Sequence, residues 1–169
     1  MNAYSKADQN ITMRPNKLED EAFLFKVYAS TRADEMALVN WTQSQKESFL
    51  LMQFNAQRQY YLEQYPTAEY SIIQSDGDDI GRLIVDHQAD QILLMDISLL
   101  PEYRNKGIGT ALIQELMAQA ASAGKPIRLH VEFFNPALHL YERLGFRKIQ
   151  EVGVHYEMEW RPGVVESNG

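Results

Sequence analysis

The feature that most limits the folds open to this chain is the apolar run QILLMDISLL, Gln91 to Leu100, taken together with the glycine turn and helix just downstream of it. A strand this continuously apolar predicts burial on both faces, in the middle of a sheet. The turn PEYRNKGIGTAL, Pro101 to Leu112, then leads into IGTALIQELMAQAASA, where Ile108, Leu112, Leu116 and Ala120 recur at i, i+4 as one apolar stripe. Gly124 and Pro126 stop that helix, and IRLHVEFF reads as a second strand. Two strands joined through one helix lie parallel in one sheet, with a right-handed crossover.

The flanking segments have different periods. AEYSIIQS and DIGRLIVDHQ read as strands joined at DGDD, a hairpin turn. Upstream, Leu18, Ala22 and Phe25 predict a helix over 17–30 with Asn16 as N-cap and Glu19 three residues on. STRADEMALVNW reads as an irregular connection or a broken helix. Thr42 with Gln45 forms a capping-box pattern for a helix over 43–64, ending before Pro66. Downstream, NPALHLYERLG predicts a short helix with Asn135 as N-cap, Pro136 first and Gly145 closing it. FRKIQ and VHYEMEW close the chain as a hairpin; in the second, Val154, Tyr156, Met158 and Trp160 alternate with polar residues, so one face should be solvated. The expected fold is α+β: a mixed, mostly antiparallel central sheet flanked by helices, with one βαβ crossover. One domain is expected over residues 11–161, with flexible tails at 1–10 and 162–169.

Composition narrows the function classes. With no cysteine, the 169 residues exclude disulfides, thiolate metal sites and a Cys nucleophile. A net charge of −7 argues against nucleic acid as a partner and is compatible with a cationic small substrate. No apolar run approaches the roughly 20 residues needed to span a bilayer, and MNAYSKADQN has no signal-peptide core, so a cytoplasmic location is expected. His87, His130, His139 and His155 show no metal-ligand spacing, so no metal is expected.

A glycine turn feeding a helix often holds phosphate, though glycines there can also serve only a positive φ. The P-loop string is missing, and a dinucleotide fingerprint fails because Leu112 stands where its third glycine belongs. What remains, Arg104-Asn105-Lys106-Gly107-Ile108-Gly109, resembles the R/Q-x-x-G-x-G/A element of the GCN5-related N-acetyltransferases, the GNAT family. DISLLPEYRNKGIGTALIQELM is similar to that family's central strand, pyrophosphate loop and helix, and NPALHLYERLGF to its fourth helix. The likeness covers roughly residues 69–160.

The resemblance implies acetyl-CoA as co-substrate and direct transfer of acetyl to an amine. Backbone amides from Asn105 through Lys106, Gly107, Ile108 and Gly109 to Thr110 would receive the pyrophosphate, with charge from Arg104 and Lys106. Ile97, Ser98 and Leu99 would pair with pantetheine on a strand that splays from its neighbour. Tyr141 falls where the family usually carries the general acid to the coenzyme A sulfur. Asn135 would cap the helix, touch pantetheine, or do both; many members carry one more residue between this asparagine and the tyrosine. For the base, Asp96 and His130 stand level, with Glu132 behind; His130 and Glu132 share a strand face. The acceptor, a small or amino-acid-like amine, would meet Arg32, Glu35, Trp41, Phe54 and Tyr61, which read equally as core or dimer packing. Acetylation of a protein amine, transfer of another acyl group, and an idle acyl-CoA-binding sensor remain the alternatives. Members of the family commonly form homodimers.

Overall fold

A computed structural model describes residues 10–163 of the chain, so the expected tails fall outside the described residues except at their inner ends. One seven-stranded sheet runs in the order β1-β2-β3-β4-β5-β7-β6. Its strands are β1 Ile11–Pro15, β2 Glu69–Ser75, β3 Asp78–His87, β4 Ile92–Leu99, β5 Ile127–Glu132, β6 Arg147–Val152 and β7 His155–Trp160. Only β4 and β5 pair parallel, joined through the helix α4, Ile108–Ala123, as the apolar run and its helix predict. The other helices are α1 Glu21–Thr31, α2 Ala33–Ala37, α3 Gln43–Gln64 and α5 Ala137–Arg143.

Two apolar layers hold the sheet. Against α4 and α5 lie Val85, Leu94, Leu129, Val131 and Met158, with Ile113, Leu116 and Tyr141 from the helices. All four residues of the α4 stripe are buried. Against the opposite face, Phe54 of α3 packs with Phe25 and Tyr28 of α1 at ring separations of 5.7 and 5.5 Å. The capping box of α3 forms as its sequence pattern predicts: Thr42 N–H donates to Gln45 Oε1 at 2.9 Å and Gln45 N–H to Thr42 Oγ1 at 3.2 Å. The β2–β3 hairpin turns on Asp76 and Gly77, with φ of 49° and 86°.

Five local features depart from the sequence expectation. Strand β1 is not predicted by its pattern, because only Ile11 of its five residues is fully buried and an edge strand shows no clear alternation. The first helix starts at Glu21 rather than 17, because Leu18–Asp20 form a 3-10 turn. Asp20, not Glu19, supplies its acceptor: Lys17 N–H donates to Asp20 Oδ2 at 2.7 Å, while Asn16 N–H continues the sheet by donating to Tyr70 C=O at 3.1 Å. Strand β4 is not buried on both faces; only Ile92 and Leu94 are fully buried, because β5 leaves it early. The polar face of β7 is not open to solvent. Arg128 Nε donates to Glu159 there at 2.9 Å and Arg161 Nε at 2.6 Å, and these arginines leave the carboxylate side chain 12% exposed.

Asp20 also receives both terminal nitrogens of Arg14 at 2.8 Å, and Arg14 reaches Asp79 at 2.9 Å, tying the 3-10 turn to β1 and β3. The Arg14 guanidinium holds the Asp20 carboxyl down to about 2, from an ordinary 3.8. A carboxyl depressed in the folded state adds stability above its unfolded value and loses it as pH falls through the folded one. Asp20→Asn is therefore expected to cost about 2 kcal/mol at pH 7. Melting curves should show its gap to the unaltered protein closing as pH falls from about 4 towards 2.

Candidate active site

Strands β4 and β5 pair only at Ile92–Ile127 and Leu93–Arg128. From Leu94 onward, the side of β4 that faces β5 has no strand partner, while β5 stays paired with β7 along its length. On its other side β4 stays with β3 to Leu99, with a register shift that leaves Met95 unpaired between Leu94 and Asp96. A bulge of this kind bends a strand and increases its twist, which turns β4 away from β5. On the gap side the backbones of Ile97 and Leu99 have no strand partner, while Ser98 turns its carbonyl towards Gly81 of β3.

The glycine turn stands at the end of that gap. Asn105 and Gly107 have φ of 59° and 81°, and α4 begins at Ile108. The first bond of the helix runs from Ala111 N–H to Gly107 C=O, 3.0 Å, so the amides of Gly107, Ile108, Gly109 and Thr110 precede it. Free amides at a helix N-terminus, together with the helix dipole, favour negative charge. A Cβ built on Gly107 or Gly109 meets nothing within 4 Å, so the cradle is open on that side. Arg104 turns inward: its Nε donates to Leu99 C=O at 2.9 Å and its Nη2 to Ser30 Oγ at 3.1 Å, fastening the turn to β4 and α1. Lys106 Nζ stands 5.8 Å from the centre of the Tyr103 ring.

On the α5 side, Tyr141 is 7% exposed and packs 5.7 Å from Phe146. Burial first, and the Asp96 charge second, push its hydroxyl well above the ordinary tyrosine range, so it keeps its proton at neutral pH. Asn135 Oδ1 accepts from Ala137 N–H at 2.9 Å, which is a helix cap.

The three carboxylate and imidazole candidates have separate partners. Asp96 accepts from Arg82 Nε at 2.5 Å and from Ser98 Oγ at 3.0 Å. His130 and Glu132 do share a face, since Ile127, Leu129 and Val131 point into the core, but they do not pair with each other. His130 is exposed and its Nε2 lies 3.9 Å from Glu157, while Glu132 accepts from Arg32 Nη1 at 2.9 Å. Sequence reasoning misses Arg82, which is 8% exposed, donates its Nη2 to Gln57 at 2.9 Å and stands 5.9 Å from the Phe54 ring centre. Its signal is a cation inside the apolar strand DIGRLIVDHQ, the mirror of Asp96 inside LLMDISLL.

The residues expected to meet the acceptor divide three ways. Phe54 and Tyr61 line a cavity of about 270 Å³ between α1, α3, β2 and β3, together with Tyr70 and Arg82. Burial pushes the Tyr61 hydroxyl up to about 12. Arg32, at the end of α1, reaches Glu35 at 3.1 Å as well as Glu132, and lies 5.6 Å from the Tyr28 ring centre. Trp41 packs edge-on against Phe49 at 5.2 Å, away from both. Among the described residues, no helix is long and apolar enough to cross a membrane, and no group of three or more acidic or histidine side chains is placed to hold a metal ion.

The sequence model of the acetyltransferase (GNAT) domain matches residues 66–148 of this chain. An uncharacterized N-acetyltransferase, CgeE of Bacillus subtilis, is 30% identical over 73 residues, 43% of this chain and 28% of that protein. The [ribosomal protein bS18]-alanine N-acetyltransferase of Haemophilus influenzae is 34% identical over 71 residues, 41% of this chain and 49% of that protein. The chain thus spans less than half the length of the curated relatives it matches. Among solved structures, the PaiA N-acetyltransferase of Thermoplasma acidophilum, in complex with coenzyme A, superposes with a TM-score of 0.69 at 21% identity, covering 90% of this chain and 99% of that one. That likeness is one of fold: a mostly antiparallel open sheet with helices on its faces.

Proposed function

We propose, from the premise that this chain belongs to the GNAT acetyltransferase family, that it is an N-acetyltransferase moving acetyl from acetyl-CoA to the amine of a small, amino-acid-like acceptor. One observation carries the reading: the unpaired half of β4 leads, through the turn Leu100 to Gly107, to an open helix N-terminus, so backbone groups for an amide-bearing arm and donors for a pyrophosphate follow one another along the chain. The relatives named as N-acetyltransferases support the transferase part of this reading.

Bound acetyl-CoA would supply the acetyl group as a thioester. Gly107 to Thr110 would hold the pyrophosphate through their amides, and Ile97 to Leu99 would pair with the pantetheine amides. Met95 and Asp96, at the bulge, would leave backbone groups free beside the reacting carbonyl. Tyr141 holds a proton that a departing thiolate needs, and its burial keeps that proton in place until it is required. The acceptor amine must be unprotonated to attack, and Asp96, His130 and Glu132 are the candidates to take its proton. Arg82 and Ser98 already hold Asp96, and Arg32 holds Glu132. Among the described residues the exposed His130 makes no hydrogen bond through its ring and has Glu157 as its ion-pair neighbour, at 3.9 Å, which favours His130 as the base. A cavity of about 270 Å³ favours an acceptor of amino-acid size.

Gly109→Ala tests the cradle without disturbing the fold. The new methyl group meets nothing within 4 Å, and Ala is the better helix former, so the melting temperature should hold or rise. Calorimetry should nevertheless show coenzyme A binding weakened by about tenfold or more, because the methyl group stands where the phosphate must approach. Gly107→Ala should weaken binding and also lower stability by about 1 kcal/mol, since its φ is 81°. Normal affinity in both variants would remove the phosphate assignment.

A further inference from the structure

The cavity between α1, α3 and strands β2 and β3 has an unexpected charge. The chain carries −7 overall, yet none of the residues lining this cavity is an Asp or a Glu, and Lys17, Arg58 and Arg82 all line it. Arg58 donates one nitrogen to Glu21 at 2.7 Å. Arg82 gives its Nε to Asp96 and its Nη2 to Gln57, which leaves Nη1 without a partner among the described residues. The remaining walls are apolar or aromatic, with Phe54, Tyr61 and Tyr70 foremost.

One polar atom there is left over. The Tyr70 hydroxyl is buried and has no hydrogen-bond partner among the described residues. A buried hydroxyl without a partner is costly, and such groups are normally satisfied by protein, water or a ligand. Arg82, Asp86 and Arg58 all lie close enough to act electrostatically on this hydroxyl, and of the three the two arginines line the cavity. A spare donor beside two guanidinium groups is what a carboxylate requires, since each of its oxygens accepts more than one bond.

We propose that this cavity binds the acceptor, and that the acceptor is an amine of amino-acid size bearing a carboxylate next to an apolar or aromatic body. The proposal rests on the acetyltransferase reading above. The Tyr70 hydroxyl and Arg58 hold the carboxylate, and Phe54 and Tyr61 cover the body. Arg82 forms the wall shared with the reaction gap, because its other side grips Asp96 on the unpaired half of β4. A positive wall also disfavours the ammonium form of the bound amine, which is the form that cannot attack. A polyamine, by contrast, would place its cations against these cations.

Calorimetry without acetyl-CoA tests the cavity directly, with L-phenylalanine and L-leucine, their amides, and spermidine as probes. The free acids are expected to bind about tenfold or more tightly than the amides, and spermidine not at all. Tyr70→Phe should melt at or above the temperature of the unaltered protein, because it removes an unsatisfied buried hydroxyl. It should nevertheless bind L-phenylalanine about tenfold more weakly and the amide unchanged. Arg58→Gln, at a partly exposed position outside the core, should lower the acid-over-amide preference to a similar extent. The proposal is overturned if no acid gives heat, if amides or spermidine bind as tightly as the acids, or if Tyr70→Phe binds L-phenylalanine normally. Thiol release is then measured with acetyl-CoA and the same probes. Binding of the acids with no thiol release overturns the acceptor role, whereas the transferase reading falls separately, if coenzyme A also fails to bind at the Gly107 to Thr110 turn. Release with spermidine or the amides but not the acids keeps the transferase and overturns this assignment.

Discussion

Tyr141→Phe is expected to lower kcat about a hundredfold, at the lower end of what general acid catalysis contributes, while the protein folds as before. The ring is held by the α4–α5 layer and by Phe146, 5.7 Å away, and phenylalanine keeps those contacts. Among the described residues nothing bonds the Tyr141 hydroxyl, so its removal breaks no internal hydrogen bond and the melting temperature should move little. The KM for acetyl-CoA should also stay close to that of the unaltered protein, because the hydroxyl acts on the leaving sulfur and not in ground-state binding. Steady-state kinetics with a saturating amine would read the effect, and an unchanged kcat would mean that Tyr141 is a packing residue alone.

Gly81→Ala is expected to damage the protein more broadly. A Cβ at Gly81 would collide with the Ser98 carbonyl oxygen and come within 3.1 Å of the Leu99 Cα. Both are backbone atoms of the facing strand, where Gly81 pairs with Leu99, so no side-chain rotation can relieve the clash. The strands must part, at a cost of about 3 kcal/mol or more. Ser98 and Leu99 also line the gap proposed for pantetheine, so coenzyme A binding should weaken in whatever fraction stays folded. Thermal melts and calorimetry on one preparation would check both, and a melting temperature within a degree or two of the unaltered protein would show that β3 and β4 have room to separate.

These two positions differ in how far their neighbours in sequence reveal them. Tyr141 is legible because it sits inside NPALHLYERLGF, a contiguous block with its own caps and a family likeness. Gly81 is not, since a glycine inside a strand pattern signals a close backbone approach without saying to what. The same division runs through the site. The glycine turn is local: its left-handed residues, its helix start and its free amides all arise within about ten consecutive residues. Arg82 and Asp96 are each visible as a charge in an apolar strand, but their pairing depends on the β3–β4 register, which the bulge at Met95 sets. Arg32, Glu35, Phe54 and Tyr61 can be named from the first helices, yet nothing in their spacing separates a group that grips β5 from a group that lines a cavity.

What the amino-acid sequence determines by itself is whatever one segment's own chemistry can enforce: the strand and helix periods, the Thr42–Gln45 cap, the Asp76–Gly77 turn and the phosphate-type helix start. Each is a matter of neighbours a few residues apart, where sterics and hydrogen bonding leave few choices. Tertiary structure decided where β4 parts from β5, that Arg104 fastens the turn to Ser30 instead of standing free, and that a cation-lined cavity opens beside Asp96. Those features join residues up to 74 positions apart. They arise only when the strands pair in register and the helices pack onto the two faces of the sheet, and no local preference encodes that.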